Sequence, residues 1–484
     1  MRKTKVVAGI FLFALLFFSG KKTVEAATRI HYIGLKGSTD AILLESDGRF
    51  GMIDSGEDWD YPNGNNSKYP LRRGIVTNEG HEQQVIYYMR QAGVTNDNFD
   101  FYIGTHAHSD HIGTGDEVLA HFTPKTVYLK EYSNSNITNK NALWDNRYVY
   151  DNLVRAAKRN SRLVQNIKEG TTIKLGNNMN LTLYNTKVRK RISDDNDNSI
   201  VVKVQAYKTT TILTADATVS VMNRLAKDGK LGKIDILKLS HHGFLDSNPK
   251  SLMNRLAPKQ AIVTGPMSNV RAETRDALRS KGVSIRSNNT GIAALVTRYS
   301  ATGYSTSARN VKAGWLDYNE GRYYIRKNGR PVTGWQTISG RRYFFNRQGR
   351  VRTGWVTDKG RTYYFSPSRT AKYNIGEMYE GWQRPNGVDY VYFRKAGAAG
   401  ARGRLMTGWQ TLNKKRFYFR KLGTNGSNTK KASGWREIAG ELYYFDTGKG
   451  KLGGYAYTNG TFIIGNERCT FNKNGILTRR VVVK

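Results

Sequence analysis

Short apolar runs broken by polar turns organise residues 28–300, and a different rhythm, aromatic and glycine-punctuated, takes over from residue 314. In the first part, the runs at 30–33, 41–45 and 51–53 have the length of strands. Residues 99–104, Phe-Asp-Phe-Tyr-Ile-Gly, predict a buried strand, and Gly113 and Gly115 then let the backbone bend before a helix beginning near Asp116. Residues 200–204 and 211–216 predict two more strands, the second ending in Asp216, and a buried strand from Ile234 delivers Ser-His-His-Gly at 240–243. Strands alternating with helical stretches predict an α/β domain.

From Gly314 onward a Gly-Trp pair recurs at Trp315, Trp335, Trp355, Trp382, Trp409 and Trp435, at intervals of 20, 20, 27, 27 and 26 residues. Each pair precedes an aromatic cluster such as Tyr343-Phe344-Phe345 or Tyr443-Tyr444-Phe445, and a Gly-containing turn follows most of them, so each unit predicts one short β-hairpin. A lone hairpin buries too little to be stable, so successive hairpins must stack into an all-β solenoid whose aromatic rows meet between neighbours. Residues 454–475 repeat the pattern without Trp and read as a cap, and residues 301–313, polar and small, read as the linker between the two parts.

Ahead of both, Met-Arg-Lys-Thr-Lys opens onto thirteen mostly apolar residues, 6–18, followed by Val24-Glu25-Ala26 and Ala27. A basic start, a short apolar stretch and a small-residue cleavage pattern predict a secretory signal peptide over residues 1–26. Thirteen residues rise only about 20 Å as a helix, short of a bilayer core of ~30 Å. Export with cleavage, and no transmembrane anchor afterwards, is the expectation. Cys469 is the only cysteine, which excludes an intrachain disulfide framework and any cysteine-based metal cage.

Charge changes the picture again: 77 basic against 38 acidic residues give +39, and residues 310–484 hold 34 against 10, or +24 of the total. Such a field attracts polyanions, whether nucleic acid, teichoic acid or anionic lipid, and its sign alone does not choose among them.

The candidate chemistry is concentrated in Thr-His-Ala-His-Ser-Asp-His at 105–111, where three of the chain's eight His and one carboxylate share a single turn. Imidazole and carboxylate are the ligands of zinc and similar divalent ions, so His106, His108, Asp110 and His111 suit two adjacent cations. Asp216, at the end of its apolar strand, and the His241-His242 pair offer further ligand atoms of the same kinds. His121 lies in a helical stretch and is not taken as a ligand.

This His-x-His-x-Asp-His pattern, with Asp216 and the His-His-Gly tip, resembles the metallo-β-lactamase superfamily over residues 28–300. The resemblance implies an αβ/βα sandwich for residues 27–300, two divalent ions, zinc foremost, with Asp216 as the bridging carboxylate and one of His241 and His242 closing the second metal position, and an Asp54 that supports the metal-binding loop from behind. His241 is taken as that ligand, and His242, with Asp110, as a group acting at the reaction centre. Relatives often carry a further His before the bridging Asp; here the polar segment 193–199 either supplies an oxygen ligand or leaves a position open. The array over 314–484 resembles choline-binding repeats and, less specifically, glucan-binding repeats. A quaternary ammonium has no N–H to donate and is held by aromatic faces, at ~1–2 kcal/mol per desolvated contact. Trp315, Trp335, Trp355, Trp382, Trp409 and Trp435 are therefore candidate ligand contacts as well as solenoid core.

Together the two parts resemble the phosphorylcholine esterases that act on teichoic acid, and local wording such as Asp54-Ser-Gly-Glu-Asp58 and Asp195-Asn-Asp-Asn-Ser-Ile200 agrees. That implies a secreted phosphodiesterase bound to the bacterial cell wall, releasing phosphorylcholine from choline-decorated teichoic or lipoteichoic acid through a hydroxide shared by the two metals. Trp59, Trp144 and Tyr148 are candidates for holding the ammonium near them. The alternatives are an exported nuclease of the same fold whose basic array grips DNA, and a cell-wall adhesin whose metal domain is vestigial.

Overall fold

A computed structural model describes residues 27–319, 321–385, 390–397, 400–420, 430–451 and 453–483. The expected signal peptide lies outside these residues. The chain divides into two compact units: one runs to Lys312 and takes in residues 327–329, and the other holds 313–326 and the chain from Arg330 onward. Among the described residues no helix is long and apolar enough to cross a membrane.

The first unit is built on two sheets. In spatial order one carries Gly303–Arg309, Ala294–Ser300, Thr28–Ile33, Ala41–Ser46, Arg49–Ser55, Phe99–Gly104, Thr126–Leu129 and Arg162–Val164. Its strands are antiparallel up to Arg49–Ser55 and parallel beyond. The other carries Ser284–Ser287, Gln260–Val263, Ile236–Lys238, Thr209–Leu213, Val201–Ala206, Met179–Tyr184 and Thr172–Leu175, parallel over the first four and antiparallel over the rest. Alternate side chains from both, among them Ile30, Tyr32, Ile42 and Leu44 against Leu181, Leu183, Val202 and Val204, interlock as the inner core. The opposite face of the second sheet packs Ile212, Leu237 and Val263 against Val221, Met222, Leu225, Leu252 and Leu278 of the helices that cover it. On the first sheet the helix Gly115–His121 lies near the strand Arg49–Ser55, and Asn146–Asn160 near Arg162–Val164. This is the expected α/β sandwich.

The linker reading of residues 301–313 is corrected in part: Gly303–Arg309 forms an edge strand, paired residue by residue with Ala294–Ser300. Its small polar residues are those of a half-exposed strand, and such a strand looks like a linker to any reading that relies on apolar runs.

The second unit is a series of hairpins in one register. Trp315 faces Tyr324, Trp335 faces Phe344, Trp355 faces Tyr364, Trp382 faces Tyr392, Trp409 faces Tyr418 and Trp435 faces Tyr444. Turns such as Ser339-Gly340, with φ of 49° and 77°, carry the positive dihedrals that close two-residue hairpins. Each hairpin leans on the next: Trp335 and Phe344 pack against Tyr363, Phe365 and Met378, and Trp409 and Tyr418 against Tyr443 and Phe445. The last hairpin, Gly460–Ile464 with Glu467–Phe471, gains a third strand, Leu477–Val482.

Candidate functional site

The strand Phe99–Gly104 ends where the His-rich turn begins, and one helical turn, Ser109–Ile112, folds that segment back on itself. His106 Nε2 comes to 3.0 Å from His108 Nδ1, and the His106 and His111 rings to 4.2 Å. From the other sheet, Thr209–Leu213 runs on to Asp216 and Ile236–Lys238 runs on to the turn His241–Gly243. Asp216 Oδ1 lies 3.1 Å from His111 Nε2, and its Oδ2 3.4 Å from His242 Nε2. Asp110 Oδ2 is 3.1 Å from that same His242 nitrogen and 3.9 Å from His111 Nε2. Residues from both sheets thus meet at the ends of their strands, where open α/β folds place their sites.

These atoms fit divalent cations. Asp40, His111, Asp216 and His242 form a buried group whose ligand atoms all lie within 4.8 Å of one another. His111 Nε2 and Asp216 Oδ1 are buried and face each other at 3.1 Å, with no other hydrogen-bond partner. Three of the imidazoles are also oriented from behind. His111 Nδ1 meets Asp54 Oδ2 at 2.8 Å, His242 Nδ1 meets the Thr264 carbonyl at 3.1 Å, and His106 Nδ1 meets the Thr105 hydroxyl at 3.1 Å, whereas His108 Nε2 lies 3.3 Å from Asp194 Oδ1 without a hydrogen bond. An outer partner on the nitrogen turned away from the cation is how proteins fix a ligating imidazole.

The imidazoles and carboxylates of this cluster are charge partners of one another. Burial alone would lower the His111 and His242 pKa values, but Asp216 and its neighbouring carboxylates outweigh it and hold both well above the usual range. Burial alone would raise Asp216, and the His111 and His242 charges hold it well below. His106 is pushed well below by burial and then by the His111 and His108 charges.

The structure brings His242, rather than the expected His241, into the buried cluster. His242, not His241, is buried against Asp110 and Asp216, whereas His241 is part-exposed, with Nε2 3.9 Å from Asp216 and Nδ1 3.2 Å from Asp246. Both adopt left-handed backbone, φ 49° and 50°, so the strand's in-out alternation stops before it reaches them and cannot say which ring points inward. The segment 193–199 acts from behind: Asp195 accepts the Ala107 N–H at 2.8 Å, and Ser199 Oγ receives the Asp216 N–H at 3.2 Å. His121 bonds the Glu117 carbonyl at 2.9 Å and lies outside the cluster.

Two participants have no obvious sequence signal. Asp40 lies 3.2 Å from His242 Nδ1, and the fully buried Lys238 ammonium lies 2.5 Å from Asp40 and 2.8 Å from the Ala215 carbonyl. A Lys inside the apolar run Ile236-Leu237-Lys238-Leu239 is the one clue, because a fully buried ammonium needs partners. His31, by contrast, is a satisfied core residue, bonded to Tyr88 at 2.8 Å and Glu45 at 3.1 Å.

A cavity of about 340 Å³ opens over the cluster, walled by His108, Asp110, Asp216, Trp144, Asp145 and Glu57 among others. The Trp144 ring stands edge-on to His108 at 5.1 Å. Burial raises Asp145 to about 6 and lifts Glu57 well above the usual carboxylate range. Trp59 and Tyr148 are not among the walls, and Tyr148 packs instead on Tyr69 at 5.5 Å. Exposed edges of Ile75 and Val76 complete the rim.

Residues 34–174 match the metallo-beta-lactamase superfamily and residues 332–369 match the choline-binding repeat. The chain joins a metallo-β-lactamase domain to choline-binding repeats. No curated protein matches it. Among solved structures it is similar to CbpJ of Streptococcus pneumoniae TIGR4, at 25% identity over 37% of this chain and 57% of that one, with a TM-score of 0.29. It is similar to choline binding protein F of Streptococcus pneumoniae, solved with a peptidoglycan analogue, at 23% identity over 38% and 55%, TM-score 0.29. It is also similar to the metallo-beta-lactamase fold protein YhfI of Bacillus subtilis, at 11% identity over 56% and 100%, TM-score 0.35. The chain spans little more than half the length of the choline-binding structures it matches.

Within the choline-binding repeats every predicted Trp sits at a junction between hairpins. Trp315 meets Tyr343 at 5.0 Å, Trp335 meets Tyr363 at 4.8 Å, Trp355 meets Phe393 at 6.0 Å and Trp382 meets Phe417 at 5.2 Å. Trp409 meets Tyr443 at 4.9 Å and Trp435 meets Phe471 at 6.1 Å.

Proposed function

We propose that the metallo-β-lactamase domain is a phosphoric diester hydrolase that releases phosphorylcholine from choline-decorated teichoic or lipoteichoic acid, while the repeats hold the protein on the same polymer outside the cell. The observation that carries the reading is the cavity over the His/Asp cluster, whose walls combine the Trp144 ring with the carboxylate of Asp145. That combination suits a quaternary ammonium sitting beside a phosphoryl group.

His106, His108 and Asp216 would hold one divalent ion, and Asp110, His111, His242 and Asp216 the other, with zinc the ion best suited to this many imidazoles. The ions supply Lewis acidity toward the phosphoryl oxygens and a water acidified enough to serve as nucleophile at neutral pH. The chain's own part is to fix and orient. Asp54, Thr264 and Thr105 would hold the imidazoles, Trp144 and Asp145 would position the choline end, and the part-exposed His241, which lines the cavity, would donate a proton to the departing oxygen.

The test is hydrolysis of para-nitrophenyl phosphorylcholine against bis-para-nitrophenyl phosphate by metal-loaded and chelator-stripped protein. Metal-dependent preference for the choline ester supports the reading. Preference for the bis-ester points to a general phosphodiesterase or nuclease, and silence on both leaves a wall-binding protein.

A further inference from the structure

Among the described residues no helix or strand lies between the strand that ends at Ser55 and the helix that begins at Glu82, yet the segment between them is fixed in place. The Tyr69 hydroxyl donates to Asp151 Oδ2 at 2.8 Å, Lys68 Nζ pairs with the same carboxylate at 2.7 Å, and the Tyr69 ring packs on Tyr148, which straps the segment to the helix Asn146–Asn160. Three residues after Tyr69, Arg72 to Ile75 close a tight turn, with the Ile75 N–H directed at the Arg72 carbonyl at 3.5 Å. Gly74 takes its third position with φ 93°, the dihedral for which a type II turn uses glycine.

That turn meets Trp144 twice. Arg72 Nη1 donates to the Trp144 carbonyl at 2.8 Å. The bare backbone of Gly74 lies against the indole: a Cβ there would stand 2.8 Å from Trp144 Nε1 and 3.1 Å from Cδ1. Trp144 needs such a hold, because its φ of 24° is unfavourable for a bulky side chain and persists only where the surroundings impose it. The helix does not supply that hold through the Trp144 carbonyl, since its first N–H groups, from Tyr148 and Val149, go to the carbonyl of Asp145. The ring so placed stands edge-on to His108 at 5.1 Å, and Gly74, His108, Trp144 and Asp145 wall the same cavity.

We propose that the turn Arg72 to Ile75 is the positioning device for the Trp144 ring, and through it sets the cavity's preference for a trimethylammonium over an unmethylated ammonium. This rests on the reading that Trp144 faces the choline end of the substrate. A trimethylammonium has no N–H to donate and depends on the aromatic face, so displacing the ring costs it the contact. A primary ammonium has three N–H groups to give a carboxylate such as that of Asp145, and tolerates a displaced ring.

The test compares para-nitrophenyl phosphorylcholine with para-nitrophenyl phosphorylethanolamine as substrates of the metal-loaded full-length protein. Arg72→Gln is expected to lower the choline-to-ethanolamine ratio of kcat/KM about three- to tenfold, through KM for the choline ester, and Gly74→Ala to do the same. Arg72→Lys, which keeps a donor for the carbonyl, should recover most of the loss. In a Trp144→Ala background Arg72→Gln should change the ratio by less than about 1.5-fold, because residues that act as one unit are not additive. A ratio unchanged in both Arg72→Gln and Gly74→Ala overturns the proposal, as does an equal loss on both substrates or an Arg72→Gln effect that survives whole without Trp144. Should Trp144→Ala itself leave the ratio unchanged, the ring does not face the choline end, and the reading beneath the proposal fails with it. If Arg72→Gln does not fold, by near-ultraviolet circular dichroism, Gly74→Ala taken through the same cycle decides.

Discussion

Replacing Asp54 with Asn changes one buried oxygen into a donor beside His111. Asp54 is fully buried; one of its oxygens accepts the Thr105 N–H at 2.8 Å, and the other accepts the Thr105 hydroxyl at 2.7 Å and faces His111 Nδ1 at 2.8 Å. Its φ of 54° suits Asn as well as Asp, so the backbone is preserved. An amide has a single acceptor oxygen, and whichever way it turns, its NH2 group confronts either the Thr105 N–H or His111 Nδ1–H. A buried donor left facing a donor costs about 1–3 kcal/mol. The imidazole escapes by moving its proton to Nε2 or by rotating, and either weakens Nε2 as a ligand. Loss of such an outer partner lowers metal affinity about 10–100-fold, or about 1.4–2.8 kcal/mol. Titration of zinc against a competing chelator reads the change, and thermal melting of the metal-free protein checks that the variant folds. Undiminished affinity in a folded Asp54→Asn protein would refute the assignment of His111 Nε2 as a ligand.

His242→Ala should lower the bound metal by about one ion per chain and abolish hydrolysis, whereas His241→Ala should keep full metal content and lose rate alone; equal metal loss in both would return the choice between them to the starting point. Trp144→Ala should raise KM for the choline ester about 5–30-fold through loss of the cation–π contact, with little change on the bis-ester. Burial raises the Glu82 carboxyl from 4.5 to about 8. Its contribution to stability is therefore complete below pH 4.5 and fades as pH climbs toward 8, because the folded state must then hold a buried charge. Glu82→Gln keeps an acceptor for the Trp59 N–H and removes that charge, so its melting temperature should exceed that of the unmodified protein at pH 8 and match it near pH 4.5; no gain at pH 8 would count against a buried Glu82 charge.

The elements that the sequence disclosed are those in which chemistry and periodicity coincide. The run before Thr105 is both apolar and strand-length, so the placement of His106, His108, Asp110 and His111 at its tip was legible. The hairpin register was legible because Trp and its partner ring recur at fixed offsets. What stayed hidden depends on contacts between distant segments. Asp40 and Lys238 meet only because the strands that follow and contain them belong to facing sheets, and nothing local to either residue records the other. Gly303–Arg309 escaped notice because an edge strand needs apolar residues on one face at most. Which of His241 and His242 turns inward stayed hidden for a third reason: left-handed backbone at both residues breaks the alternation on which an orientation is inferred.

On the proposed reading the repeat domain would hold a wall polymer by two separate means, and salt separates them. Residues 310–484 carry 34 basic against 10 acidic residues, a field that draws in polyanions of any kind. Aromatic faces hold an ammonium by contact and desolvation. At 1 M salt the screening length falls to about 3 Å, which removes most attraction between exposed charges and leaves contacts inside a cage nearly intact. Retention on an immobilised quaternary amine should therefore persist at 1 M salt and be released by free choline, while retention on heparin or DNA should be lost. Were salt alone to elute the protein from the amine support, the aromatic faces would be core and nothing more, and the basic field would be left as the domain's only means of attachment.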